Sequence, residues 1–185
     1  MKTDRRVKYT RMMLKESLLE LMKDRPINKI TVKDICEAAD VNRGTFYTHY
    51  KDPFDLLEQI ENELFDDILA SLENSFNIQN IPKLLAEIFE AIVKNSELCK
   101  VLFSDYGDKE FLHRIIYIAH EGSVLQWRKL CPKATKEQLE RLYTFFASGS
   151  VAIIQHWIQN NMKEDPQELA LFIEKISNSV LQSLQ

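Results

Sequence analysis

Five stretches of this 185-residue chain open with a residue able to cap a helix, and in four of them the residue three positions later can return the hydrogen bond. These four are Thr31-Val-Lys-Asp34, Asp52-Pro53-Phe54-Asp55, Thr135-Lys-Glu-Gln138 and Asp165-Pro166-Gln167-Glu168; Asp108-Lys-Glu-Phe111, just after Gly107, is a weaker version. Each satisfies backbone N–H groups that the first turn of a helix leaves without partners. Pro53 and Pro166 stand at the first helical position, where the missing N–H has no intrahelical role. Between these signals apolar residues recur with helical spacing: Leu14, Leu18, Leu21 and Met22; Leu56, Ile60, Leu64 and Ile68; Leu169, Phe172, Ile173, Ile176 and Val180. No segment alternates with period two. The pattern predicts an all-α fold of about nine helices, roughly 4–24, 31–39, 42–50, 53–76, 81–95, 97–104, 108–130, 135–161 and 166–184.

Composition narrows the class. Apolar residues make up 45% of the chain and charged residues 28%, with only 4 Gly and 5 Pro, which excludes collagen-like and disordered chains. No apolar run approaches the roughly 20 residues of a membrane span, and Met-Lys-Thr-Asp-Arg-Arg lacks the apolar stretch of a signal peptide. The expectation is a cytoplasmic protein with no membrane partner. Cys36, Cys99 and Cys131 form no CxxC pair and read as reduced thiols. No metal or other cofactor is expected.

The net charge of −4 argues against a partner made of nucleic acid, but its distribution argues for one. Residues 1–51 hold 12 Lys/Arg against 7 Asp/Glu, a net of +5, and the remaining 134 hold 12 against 21, a net of −9. A basic head on an acidic body suits a protein that meets a polyanion at one end. Within the head, Thr31 to Tyr50 has the spacing of two short helices joined by a tight turn, a helix-turn-helix. Val32, Ile35, Cys36 and Ala39 face inward from the first helix, and Val41 and Phe46 close the angle. Asp40 occupies the turn, where a left-handed backbone is needed, and Asn42 caps the second helix. That helix shows Arg43, Thr45, Tyr47, Thr48 and His49 to solvent, followed by Lys51: donors and an aromatic, with no carboxylate. Arg43 suits guanine O6/N7 and Thr45 a thymine methyl or base edge, while Tyr47, His49, Lys51, Lys33 and the N–H groups at Thr31 suit phosphate. With Asn42 and Gly44, these are the candidate DNA-binding residues.

At these residues the sequence resembles a known family. Ile30-Thr31-Val32-Lys33-Asp34-Ile35, Tyr47-Thr48-His49-Tyr50 and Leu56-Leu57 are similar to the DNA-binding signature of the TetR family of transcriptional regulators. Phe103-Ser-Asp-Tyr-Gly-Asp-Lys-Glu-Phe111, with Gly149, Trp157 and Asp165 to Ala170, resembles the C-terminal region of one branch of that family. The resemblance implies a homodimer whose three N-terminal helices, residues 1–52, bind a palindromic operator. It also implies a helical effector-binding and dimerisation domain over 53–185, most often serving a repressor. Three positions depart from the pattern. The usual turn glycine is Asp40, the usual serine opening the recognition helix is Asn42, and a lysine that often meets phosphate is Pro53, for which Lys51 is the nearby substitute.

Other constellations are weaker. His49, His113, His120 and His156 have no metal-ligand spacing, and no phosphate loop or nucleophile elbow is present. A helical protein-interaction module, or an enzyme with scattered catalytic groups, stays as the alternative to the regulator, and retention on duplex DNA separates them. The body is rich in aromatics. Phe89, Phe103, Tyr117, Trp127 and Phe145 with His120 are candidates to line a pocket for an apolar or aromatic small-molecule effector. For dimerisation, helix 135–161 offers a stripe of Leu142, Phe146, Gly149, Ile153 and Trp157, flanked by small residues. Helix 166–184 offers Leu169, Phe172, Ile173, Ile176 and Val180. Helix 53–76, which joins head to body, is the element through which an effector would be felt at the DNA.

Overall fold

The computed structural model describes residues 2–72, 81–104, 106–107 and 109–182. Among these residues there is no strand, and the helices are α1 (Lys2–Met22), α2 (Val32–Ala38), α3 (Arg43–Tyr47), α4 (Pro53–Leu72), α5 (Ile81–Lys94), α6 (Ser96–Leu102), α7 (Lys109–Tyr117), α8 (His120–Leu130), α9 (Lys136–Gln159) and α10 (Pro166–Gln182). A single 3-10 turn, Ile27–Lys29, precedes α2. None of the described helices is long and apolar enough to cross a membrane.

The caps explain where the helices begin. Thr31 and Asp34 form a reciprocal box at α2, and Thr135 and Gln138 do the same at α9. Asp52 accepts from the Asp55 N–H at 2.9 Å while Asp55 accepts from the Lys51 N–H at 2.7 Å, which fixes the start of α4. Asp165 accepts from the Gln167 N–H at 2.7 Å just ahead of Pro166. The remaining signal, at Asp108, lies outside the described residues, as do the ends of helices 53–76 and 166–184.

One expected helix is two. The periodicity predicts a single helix over 108–130, but regular α geometry stops at Tyr117 and resumes at His120. The Ile118 and Ala119 N–H groups bond to the Ile115 and Ile116 carbonyls, tightening the turn. The Tyr143 hydroxyl, brought in from α9, donates to that same Ile116 carbonyl at 2.7 Å. A tertiary partner thus takes up the carbonyl that an uninterrupted helix would offer to the His120 N–H, and no Gly or Pro marks the place.

The chain forms two compact units, residues 1–64 with 101–108, and residues 65–100 with 109–185. In the first, Leu14, Leu18 and Met22 of α1 are wholly buried with Ile35 of α2, Phe46 of α3 and Leu56 of α4. Lys15 and Glu63 pair at the edge. Gly107 closes this unit: a Cβ there would lie 1.8 Å from the Leu102 carbonyl oxygen. In the second unit α5 lies against α10, and α7 and α8 lie against α9. Its core includes Trp127, Cys131, Leu139, Tyr143, Phe146 and Leu181, and Phe89 of α5 meets Trp157 of α9 edge to face at 5.1 Å. The three cysteines are buried and unbridged, and burial pushes the Cys99 thiol up to about 12.

Candidate nucleic-acid interface and effector cavity

The helix pair of the first unit is set by local chemistry. Asp34 accepts from the Thr31 N–H at 2.9 Å and from its hydroxyl at 2.8 Å. These two bonds, with Arg25 and Lys33 nearby, hold the Asp34 carboxyl below its usual range. They also occupy Thr31: the N–H expected to reach phosphate is engaged by the cap. Asp40 takes φ 52°, the left-handed turn that lets α3 cross α2, and the Val41 N–H closes it on the Cys36 carbonyl at 3.0 Å. Asn42 Oδ1 then accepts from the Thr45 N–H at 2.7 Å and from the Thr45 hydroxyl at 3.1 Å. α3 is shorter than the expected 42–50. It tightens after Tyr47, where the His49 N–H bonds to the Phe46 carbonyl at 2.9 Å.

Phe46 is the anchor, fully buried, with the rings of Tyr47 and Tyr50 each 5.7 Å away. What remains outward is Arg43, Gly44, Tyr47 and Thr48 on and just after α3, with Lys51 beyond and His49 half-buried. Tyr47 is 58% exposed, touching the Phe46 ring edge-on and otherwise turned to solvent. Thr45 is half-buried with its hydroxyl on the Asn42 side chain, and Thr48 donates its hydroxyl to the Thr45 carbonyl at 2.6 Å, so in this structure both hydroxyls are engaged within their own segment. Lys33 is exposed and lies 3.6 Å from Glu37.

Sequence reasoning passed over α1. Arg11 lies 5.9 Å from the Tyr50 ring, beside the end of the recognition segment, and Arg5, Arg6 and Lys8 are exposed in the turns that precede it. The positive excess of residues 1–51 was the available signal; which helix carries it is a matter of tertiary placement.

The second unit holds a cavity of about 40 Å³ lined by Leu85, Ile88, Ile116, Ala119, Ser123, Trp127, Tyr143, Phe146, Ala147, Ser150, Ile173 and Ser177. Of the residues expected around a pocket, Trp127 lines it and the others are placed elsewhere. Phe89 is buried against Trp157, and Phe103 belongs to the first unit. Phe145 is 67% exposed and Tyr117 62%. Tyr117 stacks on His120 at 4.6 Å, and His120 Nε2 lies 2.7 Å from the Glu140 carboxylate. Aromatic content alone does not show which rings meet a void, because most of them fill the core.

The expected dimer stripe needs a similar correction. Phe146, Trp157, Leu169 and Ile173 are buried in the chain's own core, and Leu142 and Val180 pack partly against it. The 24-residue α9 carries apolar or small residues on most of its circumference, so spacing does not reveal which face turns inward. Gly149, Phe172 and Ile176 do face out, with Ile153 half-buried, and Phe145 and Ala152 join them. A groove of about 560 Å³ runs over this surface past Ala152, Ile153, His156, Leu169 and Phe172.

Comparison with known proteins settles the family. Residues 16–60 match the model described as bacterial regulatory proteins, tetR family, and residues 79–179, more than half the chain, match the one described as transcriptional regulator C-terminal region. The chain belongs to the TetR family of transcriptional regulators. Over 64 residues, 35% of the chain, it is 39% identical to the uncharacterized HTH-type transcriptional regulator YxbF of Bacillus subtilis, a match that spans 17% of that protein's length. A TetR transcriptional regulator from Streptococcus agalactiae has the same fold at TM-score 0.67 and 22% identity, with 96% of this chain and 98% of that one covered. The fatty acid degradation regulator FadR of Bacillus halodurans is similar at TM-score 0.67 and 13% identity, covering 91% and 94%. TetR-family regulators bind DNA through the helix-turn-helix, and α2 and α3 of this chain lie within the matched residues 16–60.

Proposed function

We propose that this TetR-family regulator is a cytoplasmic homodimeric repressor that reads a palindromic operator with α3 and is released by a small molecule held in the second unit. The observation that carries the reading is the outward surface from Arg43 to Lys51, which has donors and an exposed tyrosine and no carboxylate. Arg43 at the start of α3 has the reach for a guanine edge in the major groove, and Gly44 beside it leaves the backbone free to approach. Tyr47, His49 and Lys51 serve the phosphates that fix register, and Lys33 and the exposed cations of α1 add to that grip. Gly149, Ala152, Phe145, Phe172 and Ile176 supply a small-residue and apolar face on α9 and α10 for a two-fold partner. α4 begins in one unit and ends in the other, which makes it the element both sites can bias.

Operator selection from random duplexes, followed by anisotropy titration, tests this. Arg43→Ala should cost about 1–3 kcal/mol on the selected site and relax preference at one base pair per half-site. Lys51→Ala should weaken selected and random DNA alike and flatten the salt slope by about one. Equal loss on both duplexes for Arg43→Ala places that side chain on phosphate, and the absence of any salt-dependent DNA binding refutes the reading.

A further inference from the structure

The cavity of the second unit contains a polar feature that neither packing nor the aromatic pattern explains. Ser123 of α8 is 4% exposed and Ser150 of α9 is 7% exposed, and both line the cavity. Neither hydroxyl is hydrogen-bonded to a described residue, and neither oxygen is fully closed off from water-sized space. Their neighbours differ: the Ser177 hydroxyl donates to the Ile173 carbonyl at 2.9 Å, and the Tyr143 hydroxyl donates to the Ile116 carbonyl at 2.7 Å. A buried hydroxyl is normally paired, since leaving it unmade forfeits its hydration with nothing in return. Two unpaired hydroxyls on neighbouring helices, opening into one otherwise apolar space, mark a place for a bound polar atom.

The lining decides the charge of that atom. Among the described residues, no Lys, Arg, His, Asp or Glu borders the cavity. A carboxylate would enter without a cation and an ammonium without an anion, and an unpaired ion in apolar surroundings is strongly disfavoured. The free space of about 40 Å³ is that of about three water molecules. The part gripped by the serines is therefore small, and a longer apolar chain has to extend beyond this free space.

We infer that Ser123 and Ser150 hold the carbonyl or hydroxyl oxygen of an uncharged, mainly apolar small molecule, such as a short-chain ketone or alcohol, in this cavity. The inference rests on the proposed effector site and adds to it the chemical class of the occupant. Trp127 lines the cavity and supplies a signal that does not depend on DNA.

The test titrates the full-length protein with 2-butanone, 2-hexanone and 1-hexanol, with hexanoate as the charged counterpart and toluene as the purely apolar one. Tryptophan emission and calorimetry on the unaltered protein are the readouts. Saturable binding of the ketones and the alcohol, at least tenfold tighter than hexanoate at pH 7, is expected. Ser123→Ala/Ser150→Ala should weaken the ketones about tenfold, leave toluene unchanged, and raise the melting temperature of the unliganded protein, because two unpaired hydroxyls are removed. Hexanoate binding as tightly as the ketones overturns the inference, as does a double variant that binds ketones as well as the parent. Failure of every neutral compound up to its solubility limit leaves water as the occupant and overturns it too. The two readings separate cleanly. A ketone that saturates the serine site without changing operator affinity refutes effector control while this inference stands. Operator release by a compound indifferent to the serine substitutions does the reverse.

Discussion

Asp40 holds the left-handed conformation that joins α2 to α3, and there an L side chain is disfavoured by roughly 1–2 kcal/mol, less for Asp, whose short side chain bonds locally. Asp40→Gly should therefore raise stability by about 0.5–1 kcal/mol after the extra entropy of glycine in the unfolded chain is subtracted, and Asp40→Val should lower it; urea midpoints decide. Gly107→Ala should lower stability by more than about 2 kcal/mol, since its Cβ would collide with backbone that has no room to move. The first of these sites is legible in the sequence because a helix-turn-helix turn is specified by its immediate neighbours. The second is not, because the Leu102 carbonyl reaches Gly107 through the fold of the unit. Serines 123 and 150 are silent for the same reason: a serine on a helix reads as surface until its neighbours are known.

The same local chemistry gives the first unit an acid limit. The carboxyl of Asp34 is held below its ordinary value by the Thr31 N–H and then the Thr31 hydroxyl, and that of Asp55 by the Lys51 N–H and then Gln59. Both are carboxylates with a lowered folded-state pKa, so their contribution is fully present above the unfolded value near about 4 and is lost as pH falls through the lower folded value. Stability measured by urea unfolding should hold constant from pH 7 to about 5 with respect to these groups and fall below about 4. Asp34→Asn/Asp55→Asn should flatten that fall; an unchanged acid limb in the double variant refutes the assignment.

At the scale of elements, cap chemistry located the helix starts and failed where tertiary contact set the boundary. The starts at Thr31, Asn42, Asp52, Thr135 and Asp165 need only residues within one turn. The interruption between α7 and α8 needs Tyr143, 27 residues away from the carbonyl it engages. The faces of α9 show the same limit, because its outward side also carries apolar and small residues, Phe145, Gly149 and Ala152. From the structure, Phe172→Glu on the outward face should turn a dimer into monomers at micromolar concentration, by sedimentation, with little change in melting temperature of the monomer. Phe146→Ala, on the inward face, should instead cost about 3–5 kcal/mol of stability. A Phe172→Glu protein that remains dimeric excludes this surface as the interface.

At the scale of the whole molecule, the cavity and the proposed interface share helices. Ser150 of α9 and Ser177 of α10 border the cavity, while Gly149, Ala152, Phe172 and Ile176 of those helices face out. An occupant that shifts α8 from α9 would therefore also act on the face proposed for the two-fold partner, and α4 carries residues of both units. The effect on DNA is bounded by the ligand's preference between the two arrangements: a tenfold loss of operator affinity requires a preference of about 1.4 kcal/mol. Linkage makes the coupling symmetric. If ligand weakens operator binding tenfold, saturating operator must weaken ligand binding tenfold, whereas random duplex of the same length at the same salt should weaken it less. Titrating ligand against the free protein, the operator complex and the random-duplex complex, with tryptophan emission as the signal, measures all three. Equal ligand affinity in all three states would show that occupancy of the cavity and grip on the operator are independent, and would remove effector release from the mechanism.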